Sequence, residues 1–276
     1  MSDAPRNRLA VLGSPIHHSK SPAIQRAAYA VLGLDWEYEA IAVDGDGLPA
    51  FLSSRDTTWR GLSLTMPLKR DVIPLLDHTD ELVDLVGGAN TVLFTDDGLA
   101  GFNTDVRGAI QSFADAGATS LDTVYILGAG ATAASMLVAV ARLGARQVSL
   151  TARTPAKADP LVALGRRLGI ELAVHPWGVL DRSITAPDAI VSTVPGGAVN
   201  TAFAAAIRER SVLFDVAYDP WPSELALAWS EVGGTVISGF DLLVNQAVGQ
   251  VRLFVYGMDR PLDDEPAVIA AMRAAL

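Results

Sequence analysis

The sequence predicts an α/β protein in two units, and three observations carry that expectation. Strand-length apolar runs alternate with helix-spaced ones along most of the chain. A glycine-rich turn, Gly128-Ala129-Gly130, sits between one such run and a helical stretch, with another strand-like run after it. The chain has 276 residues, half of them apolar, which is long for one compact core and comfortable for two.

Taken in order, Arg8 to Gly13 reads as a strand. Ser21-Pro22 then supplies a helix N-cap and first-turn proline, and apolar residues continue at helical spacing to Leu32 before Gly33. Trp36 to Val43 alternates as a strand, Leu48 to Arg55 looks helical, and Thr58 to Thr65 reads as a third strand ending at Pro67. Asn90 to Phe94 and Leu99 to Phe102 flank Asp96-Asp97-Gly98, a short-range hairpin signal. The second unit opens with Thr123 to Leu127, turns at Gly128 to Gly130, runs through a helix to Gly144 and meets a strand at Gln147 to Thr151. Further strands are expected at Ala173-Val174, Ala189 to Thr193, Val212 to Val216 and Thr235 to Ile237, giving a doubly wound sheet. Two helices follow Gly239.

Composition excludes several function classes. With no cysteine, disulfide and thiolate chemistry are ruled out, and the four histidines have no metal-ligand spacing, so no metal site is expected. A formal charge of -10 repels phosphate backbones, so nucleic acid is a poor partner. Met1 to Arg8 is short and polar, and the most apolar helical stretch, Ala131 to Leu143, is interrupted by Ser135 and Arg142. No membrane role and a cytoplasmic location are expected. Of the 21 cationic residues only Lys20, Lys69 and Lys157 are lysines, which leaves 18 arginines. A lysine in this background is a candidate for chemistry.

Gly128, Gly130 and Ala133 spell G-x-G-x-x-A between strand and helix, where missing side chains let backbone amides approach a pyrophosphate at the helix N-terminus. The next strand ends in Thr151-Ala152-Arg153-Thr154, with Lys157 one turn on, where an NAD site would place an acid for the ribose hydroxyl. Arg153 suits a 2′-phosphate, and Thr154 and Lys157 add donors, so NADP is the expected cofactor. Ala129, Ala131, Thr193 and Gly239 complete the candidate cofactor residues.

Four further segments are polar where a packing domain would not need them: Ser14 to Pro22, Ser63 to Lys69, Gly88 to Thr91, and Gly101 to Asp105. They resemble, in the same order, the shikimate dehydrogenase signatures G-x-P-I-x-H-S-x-S-P, N-V-T-x-P-x-K, G-A-x-N-T and N-T-D. Asp215 to Pro220 is similar to that family's D-x-x-Y-x-P, and Gly239 to Ala247 to its closing G-x-x-x-L-v-x-Q-A. The resemblance spans residues 9 to about 255.

It implies an N-terminal α/β substrate domain (1-105 with 240-276) and a Rossmann-type NADP-binding domain (106-239). It also implies reversible NADPH-dependent reduction of 3-dehydroshikimate to shikimate, in aromatic amino acid biosynthesis, by a monomer or homodimer. Ser19 and Ser21 would bind the substrate carboxylate, with Tyr218 near that end, while Thr65, Lys69, Asn90, Asp105 and Gln246 would hold the ring hydroxyls. Reduction of a ketone needs a proton for the developing alkoxide; Lys69 is the acid/base candidate, oriented by Asp105. Singly, Ser21 and Asp105 would also serve as helix N-caps, Asn90 as a turn former and Tyr218 as a core aromatic. The chain departs from the family at Ser63 and Ser192, where Asn is common, at Leu68, where His is frequent, and at Val106-Arg107, where a Gly commonly follows the Asp. Ser63 keeps quinate/shikimate and aminoshikimate dehydrogenases as neighbouring readings; a non-catalytic NADP-binding regulator is the alternative from another class.

Overall fold

The computed structural model describes residues 7–179, 186–194 and 203–276; Met1 to Arg6, most of the polar N-terminal stretch, lie outside them. The chain divides into two compact units, residues 1–104 with 243–276 and residues 105–242.

The first unit begins β1 (Arg8–Gly13), α1 (Ser21–Val31), β2 (Glu37–Ala42), α2 (Leu48–Ser53) and β3 (Trp59–Leu64). It continues through α3 (Leu68–Asp71), a 3-10 turn (Ile73–Leu75), β4 (His78–Thr79), α4 (Glu81–Val86), β5 (Thr91–Thr95) and β6 (Gly98–Phe102). The sheet order is β2-β1-β3-β5-β6-β4. β1 runs parallel to β2 and β3, and the direction reverses where β3 meets β5. β5 and β6 form the expected hairpin, with Thr95 opposite Gly98 across Asp96-Asp97 and Gly98 at φ +115. Alternation along β1 sends Leu9 and Val11 to one core and Ala10 and Leu12 to another, so both faces of the sheet are covered.

One expectation is corrected at the entry to α1. Ser21 is the first helical residue, and the capping position is Lys20, which makes no side-chain cap. The hydroxyl of Ser19, two residues earlier, accepts the Ser21 N–H at 3.3 Å instead. Helix α4 does carry a side-chain cap: Asp80 accepts from the Val83 N–H at 2.7 Å, and Gly87, at φ +68, ends the helix in the left-handed region.

The second unit comprises α5 (Asp105–Asp115), β7 (Thr123–Leu127), α6 (Ala131–Arg142), β8 (Gln147–Ala152), a 3-10 turn (Pro155–Ala158) and α7 (Asp159–Leu168). After β9 (Glu171–Pro176) come β10 (Ala189–Ser192), α8 (Ala205–Arg208), β11 (Val212–Asp215), α9 (Glu224–Ser230) and β12 (Val236–Ser238). The order β12-β11-β10-β7-β8-β9 is parallel throughout. Numbered within the unit this is 3-2-1-4-5-6 read from β9, the doubly wound order whose crevice lies where the winding reverses, between β7 and β10.

α10 (Gly239–Tyr256) and α11 (Glu265–Ala274) close the chain. From residue 243 onward they belong to the first unit, where Val244, Val248, Val251, Phe254, Val268 and Met272 pack with Leu9, Val11, Ile24 and Tyr38. Each such large apolar side chain is worth roughly 1.5–3 kcal/mol when fully buried. Arg252 on α10 grips Glu265 on α11 with two hydrogen bonds, 2.8 and 2.5 Å, and Asp259 with a third at 2.9 Å.

Candidate active site

The polar segments of the first unit meet at one edge of its sheet because of the strand reversal. β1, β3 and β6 end there and β5 begins there. Backbone bonds join the segments in turn: Ser14 N–H to Met66 O (3.0 Å), Thr65 N–H to Leu12 O (2.9 Å), Ala89 N–H to Lys69 O (2.8 Å) and Asn90 N–H to Phe102 O (3.0 Å). The Asn103 amide donates to Gly88 O at 2.8 Å. Close approach demands small residues: a side chain at Gly13 would stand 2.5 Å from Thr65 Cγ2, and one at Gly249 3.2 Å from Thr104.

Asn90 is buried, 2% exposed, and bonded at both ends of its side chain. Its amide nitrogen donates to Thr104 Oγ1 at 2.9 Å and to Gln246 Oε1 at 3.2 Å. Its oxygen accepts from the Thr104 N–H and the Thr91 hydroxyl, both at 2.9 Å. Gln246 in turn donates to Leu243 O at 2.7 Å. Thus Asn90 and Gln246 are brought together, with Thr104, which the sequence reading did not single out, between Asn90 and Asp105. Ser21 is buried, Ser19, Thr65 and Lys69 are half-buried, and Asp105 is buried as the first residue of α5, assigned to the second unit.

The second unit supplies the glycine turn. Gly128 has φ +109, and a Cβ there would stand 2.5 Å from Thr193 Oγ1, so conformation and space both require glycine. Its N–H donates to Thr151 O at 2.9 Å, while Thr193 donates from backbone and hydroxyl to Leu127 O at 2.8 and 3.0 Å. These bonds draw the ends of β7, β8 and β10 together at the switch point. Gly130 caps α6 without any side-chain bond, and nothing lies within 4 Å of where its Cβ would be. Ala129, Gly130 and Ala131 therefore line an open helix N-terminus, while Ala133 is fully buried beneath it. Arg153, Thr154 and Lys157 follow β8 and are all exposed. Bare amides beside exposed cations fit a dinucleotide carrying an additional phosphate.

Gly239 has a packing reason of its own, since a Cβ would stand 2.3 Å from Val216 O. Tyr218 packs against Phe240, the rings tilted with centroids 5.5 Å apart, and burial, followed by the charge of Asp219, raises its hydroxyl above the ordinary range. Asp215 is not solvent-facing: it accepts from the Ala217 N–H at 3.2 Å and the Ser223 hydroxyl at 2.5 Å. Among the described residues no group of His, Cys, Asp or Glu could hold a metal, and no helix is long and apolar enough to cross a membrane.

Two residues escaped the sequence reading. Thr104 sits inside a recognised motif, and Gln250 lies one turn after Gln246 on the same helix face, the only signal that marked it.

A family model described as the shikimate dehydrogenase substrate binding domain matches residues 11–92. A shikimate dehydrogenase (NADP(+)) of Anaeromyxobacter sp. is 33% identical over 270 residues, 95% of each protein. The crystal structure of Mycobacterium tuberculosis shikimate dehydrogenase matches with a TM-score of 0.84 at 35% identity, covering 97% of this chain and 99% of that one. That of Thermus thermophilus shikimate 5-dehydrogenase, in complex with NADP(H) and shikimate, matches at 0.82 and 29% identity, covering 98% and 100%. Likeness at this level, sustained over both units, means that the chain belongs to the shikimate dehydrogenase family.

Proposed function

We propose that this chain catalyses the reversible NADPH-dependent reduction of 3-dehydroshikimate to shikimate. The observation that carries the reading is the hydrogen-bonded convergence of Thr65 to Lys69, Gly88 to Thr91 and Asn103-Thr104 at one sheet edge, in a chain of this family.

In this reading residues 1–105 with 240–276 form the substrate domain and 106–239 the NADP domain. The cofactor, when bound, supplies the hydride. Its pyrophosphate would be held by the amides of Gly128 to Ala131 with Thr193 and Gly239 alongside, and its 2′-phosphate by Arg153, Thr154 and Lys157. Lys69 offers its ammonium proton to the ketone oxygen as negative charge develops there and takes it back in the reverse direction; the carboxylate role that the resemblance implies falls to Asp105. Ser19 and Ser21 bind the carboxylate end of the ring, the end to which the family resemblance also assigns Tyr218. The longer of the two bonds donated by the Asn90 amide, to Gln246 at 3.2 Å, is the one an arriving ring hydroxyl exchanges or bridges. Thr65 completes the hydroxyl-binding set.

A second reading, shared use of quinate, rests on Ser63. Its hydroxyl proton is committed to Gln250 Oε1 at 2.9 Å, and it accepts from the Tyr38 hydroxyl at 2.6 Å. It therefore does not offer a substrate the amide that an asparagine would. Following nicotinamide absorbance with shikimate or quinate against NADP+ or NAD+ tests both readings. Turnover with shikimate and NADP+ is expected to dominate; its absence refutes the first reading, and absence with quinate refutes the second.

A further inference from the structure

The side chain of Gln250, 2% exposed, uses every hydrogen-bonding position it has. Its Oε1 accepts from Ser63 Oγ at 2.9 Å and from Gln25 Nε2 at 3.2 Å. Its Nε2 donates to Asn90 O at 3.1 Å and to Thr91 Oγ1 at 3.2 Å. Because Asn90 O accepts only, the nitrogen must face it, and the orientation of the amide follows from the chemistry. Thr91 passes the constraint on, donating to Asn90 Oδ1 at 2.9 Å.

Ser63 and Thr91 face each other across β3 and β5. Side chains paired in this way lie about 4.5–5.5 Å apart at Cβ, close enough for two hydroxyls to meet; here Ser63 donates to Gln250 and Thr91 to Asn90 instead. Gln250, entering from α10, bonds to both: its amide oxygen accepts from Ser63 and its amide nitrogen donates to Thr91.

We infer that Gln250 is a positioning residue for substrate binding, which supplies from α10 the amide missing at position 63 and so fixes Asn90, and through it Gln246, in the geometry that receives the ring. This deepens the substrate assignment proposed above and rests on it. Losing Gln250 takes one donor from the Asn90 carbonyl and another from the Thr91 hydroxyl, both of them buried.

The test uses the full-length enzyme and three variants. Gln250→Met keeps the volume and removes the amide; the expected result is a KM for shikimate raised about tenfold, the equivalent of one lost hydrogen bond, with kcat and the Kd of NADP+ near wild type. Gln250→Ala is expected to do the same or worse. Ser63→Asn combined with Gln250→Ala moves the amide to β3 and is expected to return KM to within about threefold of wild type, a rescue that a merely structural role would not produce. A Gln250→Met enzyme with unchanged KM overturns the inference, and so does a double variant that fails to fold or is no better than Gln250→Ala. Wild-type enzyme that does not turn over shikimate refutes the substrate reading instead, so the two failures are told apart.

Discussion

The polar groups of the first unit and the glycine turn of the second solve opposite problems. Asn90, Thr91, Ser63 and Gln250 are buried and bonded to one another, so the groups proposed to meet the substrate are held in place by the protein itself. Around Gly128 to Ala131 the reverse holds: amides stand bare at a helix start, and the nearby cations are exposed. A small hydroxylated ring must be read by the placement of each hydroxyl partner, which side chains supply only when immobilised. A pyrophosphate needs only several N–H groups pointing one way, and backbone supplies these if nothing obstructs it. On the assignment proposed above, the substrate site is thus vulnerable to loss of a partner, the cofactor site to gain of an atom.

The largest expected effect breaks the first side at its charged group. Lys69→Ala should lower kcat by at least about 10²-fold while leaving the Kd of NADPH near wild type; turnover close to normal would remove Lys69 from the chemistry. On the second side, Arg153→Ala should weaken NADPH by about tenfold or more, as befits a lost charged hydrogen bond, and leave NADH almost unaffected. Equal losses in fluorescence titrations with the two cofactors would contradict the 2′-phosphate assignment. Gly128→Ala adds one methyl group to a residue at φ +109, a conformation that costs a non-glycine residue about 1–2 kcal/mol. A several-fold rise in KM for NADPH and a lower melting temperature are expected, with KM for shikimate unchanged; the opposite pattern of KM values would undo the comparison. The smallest effect is a control: Asp80→Ala removes the cap of α4, should cost about 1 kcal/mol, and should alter a denaturation midpoint without altering either KM.

Legibility in the sequence followed element length. The second sheet was readable because parallel strands covered on both faces appear as apolar runs between turn residues, as in Val124 to Leu127 and Ala189 to Val191. Between Pro67 and Gly88 the elements have four, three, two and six residues, too few for any period to show, and the reading passed over them. α5 is marked in the sequence only by Asp105 as an N-cap candidate, and its extent does not show: its buried face is Val106, Gly108, Ala109, Ser112 and Phe113, small and partly polar residues that give a weak apolar signal. At the site, the motif residues were named through resemblance, since a lone Asn or Ser looks like a turn or a cap. What sequence did not convey was commitment: a Gln on a helix looks solvated until the packing of α10 buries it, and only then does Ser63 become half of a pair.

The reversal of β5 separates the two ends of the hairpin by function. Thr91 and Phe102 lie at the site edge, and Thr95 and Gly98 lie four residues along, about 13 Å away at ordinary strand rise. Asp96 and Asp97 are exposed and cap the far end. A peptide tag or a small folded module grafted between them would stand clear of the residues proposed to bind the ring, making that tip the natural handle for immobilising the enzyme.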